Sequence, residues 1–420
     1  MKPTLLPFLA WPRPDAVTWR ADLVAGATVA VVAIPQALAY AQLAGVPPHL
    51  GLYAAFVPTV IAALCGSSAQ LSTGPVALTA LLTAASLSAL AQPGTPAWVA
   101  LAVVLALGSG LMQVAAGFAR LGRLFEQLPA SLMLGFVNAA AIVIVLSQLP
   151  AMLGIAAPGG SGGVIPALRA LWAGVGGAHP ATAAFGIASA LALLALRRVS
   201  PRLPGALVVS LAAIAASAAL GYHEGGAVVG DLPTGLPVPA VPVIDPSSAA
   251  MLLPAMALVA LVSAIEVTSS ARVIAARTGI AWNVNQELVG QGLAKVAAGL
   301  FGAFPVSGSF SRSALNLSAG ARTAWASIVS AALVAVALLF AAHALFHLPK
   351  AVLAALIVTA VAGLLTPREF VETWRVSRAD AAIAGVTLAA TLLSAPRIHY
   401  GLLIGLALVG MRAVLGRVRG

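Results

Sequence analysis

Charge is what this sequence has least of. Only 8% of its residues are Asp, Glu, Lys or Arg, against about 25% in a soluble domain. Acidic residues are scarcer still, 11 against 22 basic ones. Cys65 is the lone cysteine and lies in an apolar stretch, so no intrachain disulfide can form and the thiol reads as packed and inert. No set of His, Cys, Asp or Glu has metal-ligand spacing, and no nucleophile–His–acid set lies within an apolar run. A membrane enzyme is therefore the weakest reading, and no cofactor is implied. The first 20 residues do not form a cleavable signal peptide, because Lys2, Arg13, Asp15, Arg20 and several prolines interrupt them.

Apolar residues are what the chain has in excess: 61% of the total, with a mean hydropathy of +1.03. This composition is that of a polytopic, all-α integral membrane protein, with the lipid bilayer as its solvent. Fourteen apolar spans can be traced: 21–41, 50–66, 74–91, 96–118, 127–149, 181–197, 203–221, 248–273, 284–302, 308–320, 323–346, 349–365, 367–395 and 398–416. With both termini cytoplasmic, only Arg169, Lys350 and Arg397 fall outside, Lys295 and Arg312 fall within spans, and the other basic residues face the cytoplasm. This positive-inside bias accounts for the net charge of +11. Nucleic acid is not needed to explain it. Lys295 is expected to snorkel or to pair internally. Trp98 and Tyr400, near span ends, fit an interfacial belt. The stretches 150–180 and 222–247 read as plain outer loops, with a short surface helix near Val164–Val175 as the alternative for the first.

Two of the spans begin at glycine-centred breaks, Ser72-Thr73-Gly74-Pro75 and Ser307-Gly308-Ser309. Both spans are short, and each is third in a seven-span half. Short interrupted segments at matching places in two halves point to a transporter's binding site. An odd number of spans per half makes the halves inverted repeats. The first four N–H groups of a helix lack partners, and the helix dipole places about half a positive charge there. Two such starts facing each other at mid-membrane would hold an anion.

Around these breaks stand the residues that could carry chemistry. Glu266 lies deep in the eighth span, where a carboxylate is costly and marks function by default; the bland alternative is a tie between helices. Gln36 follows Pro35 in the first span, with Tyr40 one turn later on the same face. An amide there can donate to an anion, or simply be satisfied within a kinked helix. Ser307, Gly308, Ser309 and Ser311 offer hydroxyls and backbone N–H groups for an oxyanion. Arg312 either faces the anion or supports it electrostatically, paired with Glu266 or a lipid headgroup.

With those residues in view, the chain closely resembles the sulfate permease (SulP) family of anion transporters. The resemblance runs through Asp22-Leu23-Val24-Ala25-Gly26, Ile34-Pro35-Gln36-Ala37-Leu38-Ala39-Tyr40 and Leu71-Ser72-Thr73-Gly74-Pro75-Val76-Ala77. It resumes at Asn285-Gln286-Glu287-Leu288 and Gly308-Ser309-Phe310-Ser311-Arg312-Ser313-Ala314-Leu315-Asn316. It implies a uracil-permease-like fold of two inverted seven-helix repeats, divided into core and gate. On that division, 1–20 is a cytoplasmic segment, 21–119 and 248–346 form the core, and 120–221 and 347–416 form the gate. Residues 222–247 link the halves outside, and 417–420 form a cytoplasmic tail. The resemblance also implies an anion site between the third and tenth helix starts. Gln36, Tyr40, Val76, Ser309, Phe310, Ser311 and Arg312 would line it.

Glu266 would then be the coupling carboxylate, with proton symport favoured over sodium symport. Homodimers, elevator-like movement and residence in a bacterial inner membrane follow from the same resemblance. Family members usually continue into a STAS domain, and this sequence stops at Gly420. The leading substrate is a small inorganic oxyanion, sulfate first. Bicarbonate or dicarboxylate symport, chloride exchange, molybdate transport and a passive anion channel stay open. A nucleobase permease would be expected to place carboxylates in both the eighth and tenth helices.

Overall fold

Lipid offers no partner to a backbone amide, so apolar runs must satisfy their own N–H and C=O groups as helices. A computed structural model describes residues 7–11, 13–127, 129–155, 163–200, 203–233, 235–240, 245–341 and 343–418. Parts of the expected N-terminal segment (1–6 and 12), outer loop (156–162), linker (234 and 241–244) and tail (419–420) lie outside the described residues.

The first half runs α1 (Ala16–Ala44), α2 (Pro48–Cys65), β1 (Thr73–Gly74), α3 (Ala77–Leu87), α4 (Pro96–Phe118) and the short α5 (Gly122–Glu126). It continues through α6 (Ala130–Leu153), α7 (Val164–Gly174), α8 (Pro180–Val199) and α9 (Gly205–Ala219). The second half opens in the same order: α10 (Pro246–Thr278), α11 (Val284–Leu300), β2 (Ser307–Gly308), α12 (Phe310–Ser318) and α13 (Trp325–Phe340). It ends with α14 (Lys350–Ala362), α15 (Pro367–Val376), α16 (Arg378–Ser394) and α17 (His399–Val418).

Local chemistry sets the boundaries. Asp15 caps α1 by accepting from the Thr18 N–H at 2.8 Å, and Gly45, at φ 74°, ends it in the left-handed conformation. Asp245 caps α10 in the same way, and hydrogen bonds from Ser247 and Ser248 hold its carboxyl down at about 2. Asn283 caps α11.

Every expected span contains a helix, with three departures from the sequence reading. Span 367–395 is broken at Ser377 into α15, which buries no residue, and the apolar α16. Residues 164–174 form a helix where a loop is expected, and its Trp172 is 86% exposed. Trp98 does not join an interfacial belt. It is buried and donates its indole N–H to the Ala44 carbonyl at 2.9 Å, closing the end of α1. Tyr400 is exposed.

Two compact units divide the chain. The first comprises Met1–Glu126 and Ala195–Pro349, the second Gln127–Leu194 and Lys350–Gly420. The first therefore includes α9, which packs on α1, whereas the sequence reading ends the first core segment at 119 and gives 120–221 to the gate. In the second unit α6 packs against α14 and α16, and α16 against α17.

Within the first unit, α4 and α11 meet along glycines. A Cβ on Gly110 would fall 2.7 Å from the Gly292 carbonyl oxygen, and one on Gly292 only 2.6 Å from the Val114 nitrogen. Small residues allow this close approach of helix backbones in a membrane. Overpacking of this kind costs about 1–3 kcal/mol. Gly110→Val should therefore lower the thermal unfolding midpoint of the purified protein. Gly385→Ala, at a position where nothing lies within 4 Å, should leave it unchanged.

Candidate anion site

The two breaks, distant in sequence, lie side by side. β1 and β2 pair antiparallel, with Thr73 opposite Gly308 and Gly74 opposite Ser307. The register is symmetric: the first residue of each strand faces the second of the other. The Ser309 N–H donates to the Ser72 carbonyl and the Ser72 N–H to the Ser313 hydroxyl, both at 2.8 Å. Immediately beyond the pair begin α3 and α12, of 11 and 9 residues. At 1.5 Å per residue each spans about half of a ~30 Å hydrocarbon core.

The two helix starts differ. Ser309 caps α12 by accepting from the Arg312 N–H at 3.4 Å. Val76 precedes α3 in an extended conformation and provides no side-chain cap. Ala77, Leu78 and Thr79 are nevertheless buried. A buried helix end without side-chain partners is where an anion gains most.

Arg312 comes back from α12 to the first break. Its Nη1 donates to the Pro75 carbonyl at 2.7 Å, while Nη2 is buried with no acceptor. Arg312 and Glu266 do not form an ion pair; among the described residues Arg412 with Asp380 is the one such pair. Gly74 makes room for this arrangement. Its φ of 152° disfavours other residues, and a Cβ there would stand 3.1 Å from Nη2. Thr73, Gly74 and Arg312 line a small pocket together with Thr59 of α2, Ala33 of α1 and Ser330 of α13.

Glu266 lies with a different set. The Ser307 hydroxyl faces its carboxylate, and the charges of Lys295 and Arg312 reach it. Its Oε2 is buried without a hydrogen bond, as is Oε1 of Gln36. Tyr40 is buried on α1 and feels the charges of both Arg312 and Glu266. Phe310 is 42% exposed and Ser311 is exposed, its hydroxyl 3.4 Å from that of Ser309. A Cβ on Gly308 would press on Val267 and Leu71 at 3.1–3.3 Å. Arg312, Glu266 and the glycine breaks thus lie around one β pair, but in two groups. Arg312 stands with Thr73 and Gly74, and Glu266 with Ser307.

Two buried ionisable residues escape a reading based on span position. Glu287 is 2% exposed and accepts from the Ser67 and Ser68 N–H groups, each at 2.8 Å. It also accepts from Gln291 at 3.0 Å, which donates to the Thr73 hydroxyl at 2.7 Å and so ties α11 to β1. The Glu287-x-x-x-Gln291 spacing, one helical turn, was the available signal. Lys295 does not snorkel. It is fully buried, with Nζ 2.6 Å from both Gln113 Oε1 and Ser263 Oγ.

Comparison with known proteins bears on the family and the fold. The profile of the sulfate permease family matches residues 19–387. The chain is 35% identical over 394 residues to a protein named probable sulfate transporter 4.2 from Arabidopsis thaliana, covering 92% of this chain and 58% of that one. It is 38% identical over 390 residues to a probable sulfate transporter of Mycobacterium tuberculosis, covering 93% and 69%. The chain therefore spans between about three fifths and seven tenths of these relatives' length. Among solved structures, SLC26A9 superposes with a TM-score of 0.91 at 23% identity over 98% of this chain and 68% of that one. The transmembrane domain of the cyanobacterial bicarbonate transporter BicA superposes at 0.81, with 26% identity over 94% and 98%. The fold is that of these transmembrane domains.

Proposed function

The chain belongs to the sulfate permease family, and from that membership and the paired breaks we propose that it is a secondary active transporter of a small oxyanion, sulfate first. One observation carries the reading. The uncapped start of α3, the Ser309–Arg312 start of α12 and a guanidinium with an unused N–H converge on a four-residue antiparallel pair. A desolvated donor without an acceptor costs about 1–3 kcal/mol, and an entering oxyanion would relieve that cost. Thr73, Gly74, Val76, Ser307, Gly308, Ser309, Phe310, Ser311, Gln36 and Tyr40 are the residues assigned to bind it.

Glu266 is assigned the coupling proton in preference to sodium. The first unit would be the moving core and the second the gate, in an elevator-like exchange of access. The basic bias supports cytoplasmic termini; a bacterial inner membrane is the expected location, and a homodimer the expected assembly. The names of the relatives support sulfate. The likeness to the bicarbonate transporter's membrane domain favours bicarbonate as the second reading.

The test is uptake of labelled anions into proteoliposomes, with and without an inward proton gradient. Sulfate should accumulate only with the gradient, and excess bicarbonate, fumarate or chloride should compete less well than unlabelled sulfate. Uptake that follows voltage and ignores pH would support a passive channel instead. Ser311→Trp should reduce uptake by about tenfold or more, since binding sites exclude oversized side chains by energies of a few kcal/mol. Wild-type rates in that variant would place the site elsewhere.

A further inference from the structure

Among the described residues, Lys295 is the one buried cation that the anion site does not use. Its side chain leaves α11 close beside Gly110 of α4, where a Cβ would lie only 2.9 Å from that of Lys295. The ammonium ends among oxygens of three elements. Gln113 of α4 and Ser263 of α10 accept from it at 2.6 Å, and the Ser263 hydroxyl stands 3.0 Å from that of Ser307 in β2. The negative charge that reaches it belongs to Glu266. Gln113, Ser263 and Ser307 are all buried.

An amide oxygen and a hydroxyl in direct contact, with a second hydroxyl and a carboxylate beyond them, would suit a free alkali cation held near an unwound segment of a transporter. In this chain a side chain supplies the cation instead. Burying a charge is costly unless it is hydrogen-bonded or paired, and here Gln113 and Ser263 supply the hydrogen bonds while the charge of Glu266 acts from beyond ion-pair distance. Glu266 thereby gains a positive neighbour without any ion from solution.

We propose that Lys295 is a tethered counter-cation: its ammonium occupies a monovalent-cation site at Gln113 and Ser263, with the Ser307 hydroxyl and the charge of Glu266 beyond them, and so makes transport independent of sodium. This rests on the transport reading above and explains why a proton, rather than sodium, is the coupling ion. Removing the tether should uncover the site. Lys295→Ala leaves space bounded by the same oxygens, open to sodium or to methylammonium. Lys295→Met fills the same volume with no charge and leaves no room for an ion.

The experiment compares the purified full chain in sodium chloride and in choline chloride at equal concentration, by thermal unfolding and by sulfate uptake in proteoliposomes. Wild type should give the same midpoint and the same uptake in both salts. In choline, Lys295→Ala should lose uptake by about tenfold or more, the scale expected when buried acceptors lose a charged donor. Sodium or methylammonium should return much of that uptake and raise the midpoint. Lys295→Met should lose uptake and respond to neither cation.

Sodium stimulation of the wild type overturns the proposal, as does full activity of Lys295→Met. So does a folded Lys295→Ala protein that neither cation rescues. A Lys295→Ala chain that folds only with sodium or methylammonium present is the same rescue; one that folds with neither counts against. If the wild type moves no anion, the transport reading fails. The cation-dependent midpoint of Lys295→Ala would still report on the cavity.

Discussion

Glu266→Gln should abolish accumulation driven by a pH gradient while leaving sulfate binding within about threefold of wild type, a change under 1 kcal/mol. The glutamine keeps the shape of the side chain and can still meet the Ser307 hydroxyl that faces it. What it lacks is a site for a proton. One unit of pH difference is worth about 1.4 kcal/mol per proton, or about tenfold in accumulation, and a variant that binds no proton forfeits all of it. Net uptake against a gradient should vanish, whereas sulfate-for-sulfate counterflow should continue. Binding, read as sulfate-induced thermal stabilisation, separates this outcome from a collapsed site. Accumulation that persists in Glu266→Gln would move the coupling proton elsewhere. Glu287→Gln is the matched control. Glu287 is bound to the Ser67 and Ser68 backbone and to Gln291, so its loss should lower stability and leave the coupling ratio of the surviving protein unchanged.

Arg312→Met should reduce sulfate uptake by about a hundredfold and weaken binding in parallel. The substitution removes the guanidinium N–H that has no protein acceptor and the bond to Pro75 that holds the first break in place. Hydrogen bonds to charged groups are worth about 1.5–3 kcal/mol each. Losing the one made to the anion and the one that positions β1 reaches the stated factor. Arg312→Lys should recover only a small part, because an ammonium cannot serve Pro75 and an anion with the planar fork of a guanidinium. Measured by counterflow, the loss should be the same with and without a proton gradient. A loss seen only with the gradient would make Arg312 a partner of Glu266 in coupling rather than a group that holds the anion.

How much of this was legible in sequence differs from one residue to the next. Gln36, Tyr40 and Glu266 are visible because a polar group within an apolar run needs a reason; Tyr40 and Glu266 feel the charge of Arg312, and Glu266 meets the Ser307 hydroxyl. The glycine breaks were visible because short, interrupted spans recur at the same place in both halves. Arg312 was found but its partner was not. Its two readings, direct and electrostatic, could be narrowed only once the side chain was seen to turn back toward Pro75 and Gly74. Of the two readings of Lys295, snorkelling and internal pairing, sequence cannot choose, since its neighbours along the chain are mostly apolar. The groups that satisfy it come from other helices, Ser263 from the preceding one and Gln113 from 182 positions away. Glu287 was hidden at a span end, where a carboxylate usually meets water; here the backbone of the Ser67–Ser68 turn covers it. Trp98 sat at a span end too, and burial under the end of α1 overrode the interfacial preference of its ring.

Hydropathy, the placement of basic residues and the two glycine-centred interruptions are enough to establish a helical membrane protein of paired halves and to point to a candidate site where its helices break. Those features are local: they follow from how each stretch of chain is solvated by lipid or water. The pairing of Thr73 with Gly308, the turn of Arg312 toward Pro75 and the enclosure of Lys295 between Gln113 and Ser263 belong to the folded molecule. They depend on contacts between residues more than two hundred positions apart in several cases, and no local preference encodes which distant partner a buried charge will find.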